Sequence, residues 1–155
     1  MAYIGKIKDR NGNTVYPQTV VSALTDYTPM NVSQPSTLGI SYLNGSYDDW
    51  ANATHYRTIE LPDARIVSLS VHVSSTTKIS TDNGHHLSVL SVPTNIRPMY
   101  TVDVAQGATG SNGTFAQFNL SLTQDGLVTV FIPDNMETDS RAGYHAEFLY
   151  LSLKK

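Results

Sequence analysis

Apolar and polar residues alternate with a period of two over much of this chain. The clearest run is Arg65 to Val73. Val67, Leu69, Val71 and Val73 fall on one side, and Ser68, Ser70 and His72 on the other. That period places one face on a core and the other on a polar environment. In Thr114 to Leu122, the residues Ala116, Phe118, Leu120 and Leu122 share a face, and Gln124-Asp125-Gly126 supplies a hairpin turn. Further strands are predicted at Leu38 to Leu43, closed by Asn44-Gly45, and at Ala53 to Leu61, closed by Pro62-Asp63. Leu87 to Val92, Met99 to Val104 and Leu127 to Ile132 follow. The last strand, Tyr144 to Leu153, carries apolar groups on both faces: Phe148 and Tyr150 on one, Leu149, Leu151 and Leu153 on the other. Such a strand is expected to be buried on both sides, by a second sheet and by a neighbouring subunit. Eight short strands separated by turns predict an all-β protein, an antiparallel β-sandwich of jelly-roll-like kind. Ala105 to Gly113, with Gly107, Gly110 and Gly113, reads as a flexible loop. No long helix and no solenoid-spaced repeat is predicted.

The first residues read differently. Tyr3, Ile4 and Ile7 lie in a short predicted strand. Arg10-Asn11-Gly12-Asn13 is a turn, and Thr14-Val15-Tyr16 is the returning strand, stopped by Pro17. Gln18 to Asp26 is mildly helical in pattern. Thr28 to Thr37, with Pro29 and Pro35, reads as a linker. The expected division is therefore residues 1–37 as an N-terminal segment and linker, and residues 38–155 as the sandwich domain.

Composition narrows the class. Charged residues are only 15% of the 155 residues, against roughly 25% in an average soluble domain. Sixteen Ser, 17 Thr and 10 Asn take their place, against 5 Lys and 3 Glu. Lys and Glu are the usual polar helix formers, so this balance opposes a helical protein. A hydrophobic content of 40% opposes disorder. The net charge is −3 and the basic residues are scattered, which removes the usual basis for nucleic-acid binding. With no Cys, disulfides and thiolate metal sites are excluded. No apolar run approaches the roughly 20 residues that span a bilayer. Lys6, Lys8 and Asp9 break the N-terminal apolar residues, so that stretch does not read as a secretory signal.

No Gly-x-Ser-x-Gly elbow is present, and 16 Ser make chance Ser/His/Asp trios common. Asp48 and Asp49 are adjacent, so in a strand they would point apart rather than converge as a glycosidase pair. Glu60, Glu137 and Glu147 are isolated. The expectation is a protein that is not an enzyme and uses no cofactor. Asp82, His85 and His86 are weak candidates for a metal, set against an exposed polar turn. On a three-fold axis one His per chain would suffice, with His55, His72, His85, His86 and His145 as candidates. The richest cluster is Tyr42, Tyr47, Asp48, Asp49 and Trp50. An aromatic face beside carboxylates suits a saccharide site, since pockets combine apolar walls with a few placed polar groups. The competing expectation is that Trp50 anchors a core or a subunit contact, because Trp is highly buried on average. Five Asn-x-Ser/Thr sequons, at Asn31, Asn44, Asn52, Asn112 and Asn119, follow from the composition.

Two segments resemble a known group. Asp9-Arg10-Asn11-Gly12-Asn13-Thr14-Val15-Tyr16-Pro17-Gln18-Thr19 is similar to the opening of many structural proteins of phages of Gram-positive bacteria. Val92-Pro93-Thr94-Asn95-Ile96-Arg97-Pro98, a strand, the Gly-rich loop and then Phe118 to Val130 resemble the C-terminal half of phage tail-fibre and receptor-binding heads. The resemblance implies a homotrimer of β-sandwich heads that binds host cell-surface polysaccharide. It also implies docking onto other virion proteins through Asp9, Gly12, Tyr16, Pro17 and Thr19. Localisation in the virion follows, after synthesis in the host cytoplasm. Two alternatives remain at this point. One is a structural decoration or connector protein of a head fibre or baseplate, without glycan binding; the other is a lectin-like module outside a virion.

Overall fold

The computed structural model describes residues 31–109, 115–134, 136–138 and 141–154, together with the strands Ile7–Lys8 and Thr14–Val15. The chain divides into two compact units, residues 1–30 and residues 31–155. In the first unit, β1 (Ile7–Lys8) pairs antiparallel with β2 (Thr14–Val15), Ile7 opposite Val15 and Lys8 opposite Thr14. That pairing is the one the Asn-Gly turn predicts. The remaining N-terminal positions, including Asp9, Gly12, Tyr16, Pro17, Thr19 and the helical pattern Gln18 to Asp26, lie outside the described residues.

The second unit is a sandwich of two antiparallel sheets. One has five strands in the order β3 (Ser41–Tyr42), β7 (His86–Ser91), β10 (Leu127–Phe131), β9 (Phe115–Leu122), β8 (Val102–Thr109). The other is built on β6 (Ala64–Ser75). β11 (Ala142–Leu153) lies along one edge of β6, and β4 (Ser46–Asp48) and β5 (His55–Glu60) lie end to end along the other. Their registers show this directly: Asp48 faces Val73 and His55 faces Ser70. The compact unit opens at Asn31, because Val32 bridges to Ile59 and Ser36 to Tyr56 along β5. Part of the expected linker thus runs along the sheet.

The alternation in β6 does what its pattern requires. Val67, Leu69, Val71 and Val73 are fully buried between the sheets. Leu120, Leu122, Val89, Leu90, Val128 and Val130 meet them from the other side. Phe118 and Tyr144 join the two layers edge to face, with ring centroids 5.3 Å apart, a favoured aromatic geometry. Asn44 (φ 50°) and Gly45 (φ 71°) form the turn read from the sequence, and it carries the chain from one sheet to the other. Strand β4, directly after that turn, was not predicted; its three residues are too few to display a period.

One expectation is corrected. The Gly-rich stretch from Ala105 is not a loop as far as Thr109: β8 continues through Gln106, Gly107, Ala108 and Thr109, paired with Phe118, Gln117, Ala116 and Phe115. Glycine weakens a strand through entropy, but a long hairpin partner supplies the missing order. Of the last strand's two apolar faces, one meets the second sheet within the chain and the other is open in the single chain. Tyr144, Ala146, Phe148 and Tyr150 enter the core, while Leu149 is 73% exposed and Leu151 and Leu153 are about half exposed. Among the described residues no helix is long and apolar enough to cross a membrane.

Candidate functional site

The outer face of the β6 sheet changes character along its length. At one end Ile59, Ile66 and Leu151 are register partners, flanked by Leu149 and Leu153. At the other end the partners are Ser70 with Glu147, His72 with His145, and Ser74 with Tyr47. A polar and aromatic cluster therefore arises wholly from cross-strand pairing.

The chain between β4 and β5 completes it. Residues 49–54 lie opposite only Val71 and His72, so the surplus must bulge off the sheet, as bulges do when they re-aim side chains. The bulge is stapled at both ends to the backbone of His72. Asp49 N–H donates to His72 O at 3.0 Å. Thr54 Oγ1 donates to His72 O at 2.9 Å and accepts from His72 N–H at 2.9 Å. Thr54 is fully buried, and its own N–H donates to Asp48 Oδ1 at 3.2 Å. A tight turn with Asn52 at φ 61° and Ala53 N–H bonded to Trp50 O closes the excursion.

The result is an exposed platform. Trp50 is 67% exposed. Its indole lies over the His72 ring at a centroid distance of 6.0 Å and 27° between planes, and at 6.1 Å from His145. The two imidazoles are 4.7 Å apart. Asp49 holds the assembly: Ser74 Oγ donates to its Oδ1 at 2.5 Å, and His145 Nε2 lies 2.9 Å from its Oδ2. Ser70 Oγ donates to Glu147 at 2.5 Å. Desolvation would raise the Asp49 carboxyl, but the hydrogen bonds from Ser74 and His145 and the nearby imidazoles outweigh it and leave it below its usual value. His72 is pushed down, first by burial and then by the charge of His145.

Of the five residues singled out in sequence, Tyr47, Asp49 and Trp50 share this outer face. Asp48 is in register with core-facing Val73 and serves the bulge as an acceptor. Tyr42 belongs to the five-stranded sheet, where burial raises its hydroxyl pKa above the usual value. The core reading of Trp50 is overturned by its exposure. His72 and His145 were missed as members of the cluster. The signal was present, since both occupy outward positions of alternating strands, but their pairing depends on register.

Ser74, Asp49 and His145 are linked with the carboxylate in the centre. The hydroxyl and the imidazole both bond to the carboxylate and not to each other, so this trio lacks the serine–imidazole contact of a Ser-His-Asp triad. Asp82, His85 and His86 do not converge: His86 stacks on Phe131 at 5.8 Å, and no group of three potential ligands comes together among the described residues.

No protein-family model and no curated protein matches the sequence. The fold has a solved counterpart. It is similar to the receptor-binding protein gp15 of Listeria phage PSA, with a TM-score of 0.55 and 16% identity, covering 88% of this chain and 74% of that one. At that identity the likeness is one of fold, an all-β antiparallel sandwich.

Proposed function

We propose that this chain is a phage virion protein that attaches to a host cell-surface saccharide through the Trp50 platform, without covalent chemistry. The observation that carries this reading is an exposed Trp50 seated on His72 and His145, with Asp49 bonded to His145, on a sandwich similar to a phage receptor-binding protein. The indole offers a flat apolar surface to sugar C–H groups, and the imidazoles and carboxylates fix hydroxyls around it. The N-terminal segment, with Asp9, Gly12, Tyr16, Pro17 and Thr19, is the proposed docking element to other virion proteins. The apolar end of the same outer face, with Leu149, Leu151 and Ile66, is the proposed contact in a homotrimer, which would multiply weak single-site binding through effective concentration.

The test is binding of labelled protein to intact Gram-positive cells and to their purified wall polysaccharides. Trp50→Ala is expected to weaken it by about tenfold or more, as truncation of a central aromatic anchor does. Equal binding by a folded Trp50→Ala protein removes the platform from the function. A second reading is a structural decoration or connector protein, favoured by the exposed apolar strip if that strip seats a virion neighbour. Absence of cell and polysaccharide binding by the native chain supports it.

A further inference from the structure

The Pro93-x-x-x-Arg97-Pro98 step and the Asp125-Gly126 turn, prominent in the sequence, have no part in the Trp50 platform. In the fold they meet. The segment after β7 makes a 3₁₀ turn at Thr94–Ile96 and is tied down on two sides. Val92 N–H donates to Gly126 O at 2.8 Å, and Ser152 Oγ donates to Asn95 O at 3.4 Å. Gly126 sits at φ 82°, and a Cβ there would stand 2.9 Å from Arg97 Cγ and 3.1 Å from its Nε. The missing side chain is thus what lets the Arg97 stem pass.

Arg97 then lines a cavity of about 290 Å³, together with Thr94, Met99, Gln124, Asp125 and Leu153. Its Nε is buried with no acceptor among the described residues. Neither Arg97 nor Asp125 makes an ion pair among them. Gln124 is positioned by its own bond to Met99 O at 2.7 Å. Apolar surface from Met99 and Leu153 forms a wall beside these polar groups.

We propose that this cavity is a second saccharide subsite that takes a neutral pyranose with adjacent hydroxyls. A guanidinium offers only donors and a carboxylate only acceptors. A hydroxyl is both, so a neighbouring pair satisfies Arg97 and Asp125 together. A lone anion would satisfy Arg97 but face Asp125. The ring's apolar face rests on Met99 and Leu153. The subsite shares no residue with the platform: His145 and Leu153 lie at opposite ends of the outer face of β11, about 26 Å apart at strand rise.

The Arg97 guanidinium resonances in a ¹⁵N–¹H spectrum of the full chain report on the site. Glucose, galactose, rhamnose and N-acetylglucosamine are titrated in turn to tens of millimolar, with inorganic phosphate and glucuronate as anionic arms. At least one neutral sugar is expected to displace these resonances. Asp125→Asn, on an exposed turn, is expected to weaken that sugar about tenfold, the effect of one charge-assisted hydrogen bond. Trp50→Ala is expected to leave its affinity within about twofold, since distant sites are independent. Three results overturn the proposal: no displacement by any neutral sugar, displacement by phosphate or glucuronate alone, or unchanged affinity in Asp125→Asn. All are read apart from cell binding by Trp50→Ala, so the two sites stand or fall separately.

Discussion

Asp49 takes a hydroxyl on one oxygen and an imidazole on the other, and this makes it the hinge of the platform. Its carboxyl is held below the ordinary value of about 3.9, so the unfolded chain takes up a proton first as pH falls. The stability this confers is complete above about pH 4 and is lost below it. Asp49→Asn should therefore flatten the acid limb of a urea-midpoint against pH curve relative to the native protein. His72 titrates higher but obeys the same sign. Its folded value is pushed below about 6.5, so its neutral form is favoured by folding and stability falls as the solution is acidified through that region. His72→Asn should lose less stability than the native chain between about pH 7 and about pH 5. Trp50→Ala, by contrast, should shift unfolding free energy by no more than about 0.5 kcal/mol, because an exposed ring has little burial to lose. Trp50 and Asp49 were legible as a cluster because they are neighbours in the chain. His72 and His145 were not, since nothing local to either says that β6 and β11 align them.

At the scale of elements, β6 organises the second unit. It carries β11 on one edge and both β4 and β5 on the other, and its inner side chains are completely buried. Leu69→Ala should cost about 2–5 kcal/mol in equilibrium unfolding, since a fully buried leucine leaves a cavity that paired strands cannot close. Ser68→Ala, on the exposed face of the same strand, should be close to neutral in the same measurement. The strand itself was legible because the seven residues from Val67 to Val73 show an unbroken period of two. The bulge over His72 was not. It comes from a difference in register between β4 and β5 against one partner, and a single segment's pattern holds no information about its partner. The Gly-rich end of β8 failed for the complementary reason: glycine has a weak local preference, and pairing with β9 overrode it.

For the molecule as a whole, the exposed pair Leu149 and Leu151 beside Ile66 is the feature a single sandwich leaves unexplained. If it is the trimer contact, light scattering of the native chain should return three times 17.0 kDa, and Leu149→Asp should return the monomer mass with little change in strand content by circular dichroism. A native monomer at micromolar concentration would exclude that contact. The low charge of the chain fits either outcome, because Ser, Thr and Asn fill the outward positions and desolvate at less cost than ions. The order of turns and alternating strands, and with it the all-β sandwich class, was determined by the sequence itself, since period and turn chemistry are local properties of the backbone. The tertiary structure decided which outward residues stand together. Trp50 meets His72 and His145, and Arg97 and Asp125 line one cavity, only because strand register and sheet packing bring distant segments together, and those depend on the whole chain at once.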